Sequence, residues 1–203
     1  MIKTIEELKE LYESYSDVQG KIRRDVKDGK LTHIVRGLYE TDENTPGHYL
    51  SSYIYGPSYL SFDYALFYYG LIPERVNTYT SATYNKRKTK KYQTPFGNYI
   101  FKDIPKLAFP LEINVIEEKG YVYHIASKEK AVCDKLYDLK PVHSMKQLKN
   151  LLFDDLRIDE TQFETLDKKK LRMLIPKYKS KNLTLLSKLI KEEKKYASVR
   201  ANA

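Results

Sequence analysis

Residues 56–73 decide the fold, and they read GPSYLSFDYALFYYGLIP. Ser61 is a favourable N-cap residue, so a helix is predicted to begin directly after it. The segment 62–69 has no polar face, which is typical of a helix that is buried on all sides. Gly70 suits the left-handed position after a helix, and Pro73 prevents the helix from continuing. The sequence therefore predicts a short central helix, capped at both ends, with the other elements packed around it.

The composition is that of a soluble globular protein. The 203 residues suffice for one large domain or two small ones, and 41% of them are hydrophobic while 31% are charged. No segment approaches the roughly 18 apolar residues of a membrane span, and the first residues do not read as a signal peptide. Cys133 is the single cysteine, which excludes an internal disulfide. We therefore expect a cytoplasmic protein without a membrane partner.

The four histidines are scattered along the chain and accompany no cysteine pair. Structural and catalytic zinc sites need such ligands at short, regular spacings. The sequence also has no glycine-rich loop that would hold a nucleotide phosphate. We therefore predict no metal site and no cofactor.

The net charge of +9 is distributed unevenly along the chain. Residues 1–75 contain nine Lys and Arg against twelve Asp and Glu, whereas residues 76–110 contain seven against one and residues 165–203 contain twelve against three. Clustered positive charge favours a polyanionic partner, of which nucleic acid is the first candidate. A basic surface also serves solubility, so charge alone leaves both interpretations open.

The first 45 residues show the order of a winged helix-turn-helix. Apolar residues at helical spacing predict a first helix from Thr4 to about Ser14, and a second helix, capped by Ser16 or Asp17, runs to Asp28. Two short strands, 31–35 and 38–41, then form a hairpin. The module is very short, because no separate middle helix can be placed between the first helix and the second.

The polar face of the second helix is selectively basic. A basic helix can enter a major groove while an arginine at the hairpin tip contacts the backbone or the minor groove. The residues predicted in this way to contact DNA are Gln19, Arg23, Arg24, Lys27 and Arg36. The alternative is a small helical hairpin with solvated lysines.

The remaining chain predicts an α+β fold. The turn-rich segment 42–47 marks the boundary between a winged helix-turn-helix domain, 1–45, and a C-terminal domain, 46–203. That second domain is predicted to mix helices with antiparallel strands and to end in helices. The predicted strands are 76–82, 91–94, 99–104, 113–117 and 121–126, and helical spacing resumes from Ser127 onwards.

Four motifs, taken in order, resemble one family. They are Pro57–Ser61 continuing to Tyr69–Pro73, then Thr80–Thr83, Thr94–Gly97 and Ala126–Ala131. Together with the N-terminal module ending in Arg36-Gly37-Leu38-Tyr39, they resemble the AbiEi-type antitoxins of the AbiE abortive-infection family, which are type IV toxin–antitoxin systems of bacterial phage defence. Each motif alone is weak, but their order and spacing are fairly specific and cover nearly the whole chain.

The resemblance implies an antitoxin that is also a transcriptional repressor. Its N-terminal part would bind double-stranded DNA, at inverted repeats in its own promoter. Its C-terminal part would counter a nucleotidyltransferase-like toxin without a stable complex. The family has no catalytic motif to transfer, so the resemblance adds only the winged-helix positions Lys21, Arg23, Arg24, Lys27 and Arg36.

We predict that the protein is not an enzyme and has no catalytic residues. The sequence contains no nucleophile elbow and no paired-histidine motif, and its nineteen tyrosines cluster in apolar segments, where packing explains them. A second basic patch, Lys86, Arg87, Lys88, Lys90 and Lys91, is either a solvated loop or a further contact for DNA or for an RNA-bound toxin. The alternative function is a winged-helix regulator whose C-terminal domain senses a ligand or binds another protein.

Overall fold

The computed structural model describes residues 1–201, with side chains placed through residue 191. Its elements, in chain order, are β1 Ile2–Thr4, α1 Ile5–Leu11, α2 Val18–Lys27, β2 Thr32–Val35, β3 Leu38–Glu40, α3 Ser51–Ile54, β4 Tyr59–Leu60, α4 Phe62–Tyr68, β5 Thr78–Thr83, β6 Lys90–Thr94, β7 Gly97–Asp103, β8 Ile113–Glu118, β9 Tyr121–Ala126, α5 Lys128–Asp138, α6 Met145–Asn150, α7 Glu160–Glu164, α8 Lys168–Leu174 and α9 Lys181–Ala201. Single 3₁₀ turns precede α3 and follow α8, and a π turn extends α6. The fold is α+β, as predicted.

Two sheets contain all of these strands. β1, β3 and β2 form a three-stranded antiparallel sheet in that order. The second sheet has six strands in the order β6-β7-β5-β4-β9-β8. Three of its pairs are antiparallel, but β5 runs parallel to β7 and β4 runs parallel to β9. The antiparallel strands that the sequence predicts account for three of the five pairs. The two parallel pairs differ from that prediction, because the short strand β4 lies between β5 and β9, and because the β6–β7 hairpin folds back so that β7 lies beside β5.

All five predicted strands of this sheet are present, with ends within two residues of those expected. The hairpin between β8 and β9 turns at Lys119 and Gly120, whose φ angles of 50° and 78° are those of a type I′ turn. β1 and β4 were not predicted, because a strand of two or three residues is too short to show the alternation of apolar and polar residues by which strands are identified. α1 ends at Leu11, which is three residues earlier than expected, and α7 was also missed.

The central helix α4 begins and ends as predicted but is not enclosed. Phe62, Ala65 and Leu66 are buried, whereas Tyr68 is 43% exposed. The helix therefore packs one face on the core and leaves the other partly in water. The prediction of burial on all sides is wrong because a tyrosine can cover apolar neighbours with its ring and still keep its hydroxyl wet.

The N-cap residue of α4 is Ser61, as predicted, but its side chain makes no cap hydrogen bond. The Ser61 hydroxyl donates to Asp134 Oδ2 at 2.6 Å instead of accepting from the first turn. Its place is taken by Thr80 of β5, whose Oγ1 accepts from the Tyr64 N–H at 3.0 Å. The C-terminal prediction is confirmed: Gly70 has a φ of 67°, and the N–H groups of Gly70 and Leu71 close the last turn.

The predicted domain boundary lies against the main core. A small core of Leu8, Ile22 and Leu31 holds α1, α2 and the start of β2 together. Ile34 and Leu38, from the same N-terminal sheet, belong to the larger core of the six-stranded sheet. Further along, the Thr45 hydroxyl lies 3.2 Å from that of Tyr121, and Gly47 is buried. Thr45 and Gly47 thus attach the connecting segment to the main core, while Asp42, Glu43, Asn44 and Pro46 are exposed.

Candidate nucleic-acid interface

Helix α2 begins at a cap formed by Asp17, one of the two predicted residues. Its Oδ1 accepts from the Gly20 N–H at 2.8 Å. Gly20 leaves the room for this carboxylate, because a Cβ there would lie 1.8 Å from Asp17 Oδ2. Ile22 is buried against Leu8 and Leu31, which fixes the rotation of the helix and turns its polar face outward.

Three predicted cations of α2 lie on that outward face. Arg23, Arg24 and Lys27 are exposed, and none of them has an ion-pair partner among the residues whose side chains are described. Arg24 and Lys27 lie in the last turn, where the helix dipole favours positive charge. Gln19 is exposed in the first turn. These four residues therefore form an accessible surface, and we call it the α2 face.

Lys21 points away from the α2 face. Its Nζ is 2.5 and 2.6 Å from the two carboxylate oxygens of Asp25, and it lies over the rings of Tyr12 and Tyr15 at 4.9 and 5.6 Å. The Asp25 side chain is 2% exposed and that of Lys21 is 18% exposed. Sequence spacing does not reveal this, because a lysine four residues before an aspartate suits both a surface pair and an interior one.

The Lys21–Asp25 pair leads to a pH-dependent prediction. The hydrogen bond from Lys21 holds the pKa of Asp25 below its ordinary value of 3.8. A carboxyl whose pKa is lower in the folded chain stabilises the fold above the unfolded pKa, and this contribution disappears as the pH falls through the folded pKa. In urea unfolding, Asp25→Asn should be less stable than the wild type near pH 6, and the gap should close as the pH falls below 3.8. A constant gap would contradict the ionic role of Asp25.

Arg36 is exposed in the turn between β2 and β3, as predicted. Gly37 beside it has a φ of 78°, and its carbonyl accepts from the N–H of Ile5 at 2.9 Å. The C-terminal end of α2 enters β2 at the opposite end of that strand. Four strand residues at about 3.3 Å each separate the two, so Arg36 lies roughly 13 Å along the strand from α2. The turn and the α2 face are therefore two separate points of positive charge.

The second basic patch is divided between a loop and a sheet edge. The loop is held by Asp103, which accepts from the backbone N–H groups of Lys86 and Arg87 at 2.6 Å each. The Lys86 ammonium already has partners within the protein: it donates to the Gly56 carbonyl at 3.1 Å and lies over the Tyr55 ring. Arg87 and Lys88 are exposed in the loop. The cations with free access in this loop are thus fewer than the sequence suggests.

Lys90 and Lys91 belong to β6, the edge strand at one side of the six-stranded sheet. Lysines on an edge strand prevent other chains from pairing with it. That role explains them without a nucleic acid, and it leaves Arg87 and Lys88 as the part of the patch that is suited to a phosphate.

Sequence reasoning missed a buried polar cluster, which we call the Asp134 cluster: Tyr59, Ser61, Lys130, Asp134 and Tyr178. Asp134 accepts from the hydroxyls of Tyr59, Ser61 and Tyr178 at 3.0, 2.6 and 2.6 Å. Lys130 donates to the Ala108 carbonyl and to the Tyr178 hydroxyl, and its Nζ is 3.4 Å from Asp134. The only sequence signal was a lysine and an aspartate four residues apart in an otherwise apolar helix.

The Asp134 cluster is closed to solvent. The side chains of Lys130 and Asp134 are both 0% exposed. Burial lowers the pKa of Lys130, although Asp134 opposes this, and burial also raises the pKa of Tyr178. Cys133 is buried beside them, and burial raises the pKa of its thiol. The hydrogen bonds of this cluster join β4, α4, α5 and the turn after α8.

A pocket of about 260 Å³ lies between Tyr59, Phe109 and His124. Its wall includes Ser58, whose buried hydroxyl has no hydrogen-bond partner among the described residues. The pocket is smaller than the roughly 300–1,000 Å³ of most ligand sites. Within the described part of the chain no group of His, Cys, Asp and Glu is arranged to hold a metal ion, and no helix is long and apolar enough to cross a membrane.

Comparison of the chain with known protein families and with curated proteins finds no match.

Proposed function

We propose that this chain is a DNA-binding antitoxin that represses its own promoter. It binds double-stranded DNA at inverted repeats, and it opposes a nucleotidyltransferase-like toxin in the bacterial cytoplasm without a stable complex. The observation that carries the DNA-binding part is the α2 face, where Arg23, Arg24 and Lys27 are exposed and have no partner in the described residues. Positive groups without an internal partner are free to replace the counterions of a phosphate backbone.

The order of elements supports a winged helix-turn-helix. The helix that bears the α2 face is followed directly by the β2–β3 hairpin, and β1 completes its sheet. In such modules the helix enters the major groove while the hairpin contacts the flanking backbone. Arg36, a strand's length from α2, suits the second contact. The module lacks a separate middle helix, so α2 is held by α1 and by the start of β2, through the contacts of Ile22 with Leu8 and Leu31.

The role of Lys21 differs from that of the other cations of α2. Bound to Asp25 and covered by Tyr12, it fixes α2 against the end of α1 and is not free to contact phosphate. We therefore assign DNA contacts to Gln19, Arg23, Arg24, Lys27 and Arg36, and a positioning role to Lys21.

DNA binding is tested with Arg23→Ala combined with Lys27→Ala. We expect weaker binding to the promoter fragment, by about 1–3 kcal/mol for each contact that reads a base edge. If the contacts are only to phosphate, the slope of log affinity against log salt should fall by about one for each residue. The measurement is a mobility-shift titration at several salt concentrations.

The matched control replaces two exposed lysines of α6, Lys146→Ala with Lys149→Ala, and it should bind like the wild type. Both double variants remove two surface cations, so a general loss of charge affects them alike. Equal affinity of the folded α2 variant and the wild type would remove α2 from the interface.

The antitoxin part rests on the four family-like motifs. The structure gives many of their residues interior roles: Ser61 and Lys130 belong to the Asp134 cluster, Thr80 caps α4, and Ser127 caps α5. The motifs therefore support a shared fold more directly than a shared activity. Growth rescue on co-expression with the neighbouring downstream gene tests the activity itself. The α2 double variant should rescue growth fully while losing repression of a promoter reporter.

The unpartnered buried hydroxyl of Ser58 favours a second candidate function, because a small ligand in the adjoining pocket could bond to it, although the pocket is smaller than most ligand sites. A regulator that senses a small ligand would need such a space between the sheet and the surrounding loops. Failure of the wild type to rescue growth, together with intact repression, would favour this alternative.

A further inference from the structure

The pocket beside Ser58 is built from elements that are distant in sequence. Ser52 of α3 lies on one side of it, while Ile113 of β8 and His124 of β9 lie on the other. Val115 is paired with His124, and side chains two residues apart in a strand share a face, so Ile113 and His124 point to the same side of the sheet. The pocket therefore lies between α3 and one face of the β8–β9 hairpin, and the tertiary fold fixes its shape.

One wall of the pocket is aromatic and held in place. The centroid of the Phe109 ring is 5.1 Å from that of Tyr59 and 4.5 Å from that of Tyr84. The Tyr59 hydroxyl donates to Asp134 at 3.0 Å, so Tyr59 offers only carbon atoms to the pocket. An apolar surface that suits a ring is thus already formed on this side.

Three polar side chains of the pocket wall have no partner in the protein. Ser58 is 8% exposed, and its hydroxyl is buried without a hydrogen bond among the described residues. The half-buried side chains of Ser52 and His124 also make no hydrogen bond within that part of the chain. A buried hydroxyl without a partner costs free energy, and native proteins keep few of them. A molecule in the pocket would supply the missing partner.

The charge of the wall restricts the class of that molecule. No Asp, Glu, Lys or Arg is among the residues that line the pocket. A charged ligand would therefore lose its hydration without gaining an opposite charge, which is strongly unfavourable. Hydroxyl and imidazole groups both donate and accept hydrogen bonds, so they suit an uncharged group that does the same.

We propose that this pocket binds a small uncharged molecule whose planar ring lies against Phe109 and whose polar edge, an amide or a similar group, bonds to Ser58. A serine hydroxyl moves between staggered positions by rotation about one bond, which brings it within reach of such a ligand. The volume of about 260 Å³ is below the roughly 300–1,000 Å³ of sites for drug-sized molecules. The ligand is therefore of the size of a nucleobase and not of a nucleotide.

The inference deepens the second candidate function, because it gives a ligand-sensing regulator the chemical class of its ligand, and its regulatory meaning rests on that function. Binding itself needs neither promoter nor toxin. A failed ligand titration would leave the DNA-binding antitoxin untouched, and a failed mobility shift would leave the pocket untouched. The two measurements share neither a ligand nor a variant, so their failures are distinguishable.

NMR titration of the isotope-labelled full chain with three probes of similar size tests the ligand class. Benzamide has a ring and an amide edge, benzoate replaces the amide by a charge, and toluene has no polar edge. We expect benzamide to bind saturably and to shift the backbone signals of Ser58, Phe109 and His124. Toluene should bind more weakly, and benzoate should not bind. No saturable shift with benzamide, or equal binding of benzoate, would overturn the proposal.

Ser58→Ala tests the contact itself. It should weaken benzamide binding by about three- to tenfold, the value of one hydrogen bond, and leave toluene binding unchanged. Without ligand the variant should be no less stable than the wild type in urea, because it removes a buried group that has no partner. Ser187→Ala, on α9 and outside the pocket wall, is the matched control and should bind both probes like the wild type. Equal benzamide affinity of Ser58→Ala and the wild type would also overturn the proposal.

Discussion

Replacing Asp134 with alanine is expected to lower the free energy of unfolding by about 3–5 kcal/mol, the range for breaking a buried ion pair from one side. The change removes the acceptor of three hydroxyl groups and leaves Lys130 fully buried with its charge uncompensated. Because burial already lowers the pKa of Lys130, we expect it to lose its proton in the variant. Urea unfolding near neutral pH measures the change.

Two further variants make this test specific. Asp138→Ala, one turn further along the same helix, breaks a pair with Lys102 that is about a quarter exposed, so it should change the stability by at most about 1 kcal/mol. Lys130→Met should be less damaging than Asp134→Ala, because three hydroxyls still donate to the remaining carboxylate. Similar stability for Asp134→Ala and Asp138→Ala would show that the Asp134 cluster does not support the fold.

Replacing Leu66 with alanine should lower the free energy of unfolding by about 2–5 kcal/mol, the range for a buried leucine that leaves a cavity. Leu66 is 0% exposed on the inner face of α4. The neighbours that would have to fill the space are fixed, since α4 is bonded to β5 at its start and closed by Gly70 at its end. Thermal and urea unfolding measure the change.

Leu107 supplies the control for this variant, because it is the same residue type and is 66% exposed. Leu107→Ala should alter the stability by no more than about 0.5 kcal/mol. If Leu66→Ala is as mild as this control, the inner face of α4 is not packed as the structure indicates.

The sequence predicted those parts of the fold that depend on local pattern. Alternation located the five strands 78–83, 90–94, 97–103, 113–118 and 121–126, and Gly70 ended α4 as expected. These predictions are correct because the spacing of apolar residues and the positive φ angle of glycine both depend on only a few neighbouring residues. For α2 the same reasoning located Arg23, Arg24 and Lys27 on the outward face.

The parts that failed depend on partners distant in sequence. Lys21 was included among the DNA-binding positions through the family resemblance, and the sequence could not show that Asp25 is buried and draws Lys21 inward. Ser61 is the N-cap residue of α4 as predicted, but the sequence could not show that its hydroxyl donates to Asp134, 73 residues away. Parallel pairing of β5 with β7 likewise depends on where the β6 hairpin folds back. Local sequence allows several partners for each of these groups, and the tertiary fold determines which partner is used.

The capping of α4 by a residue from another element, Thr80 of β5, also has a consequence for the order of folding. The first turn of α4 is completed by Thr80, and the side chain of its own N-terminal serine is held by α5. Bringing such remote segments together costs the conformational entropy of loop closure before any of these hydrogen bonds can form. The helix is therefore expected to be consolidated late, after β5 and α5 have docked. Until then the apolar segment 62–69 remains open to the contacts that cause aggregation and chaperone binding during synthesis.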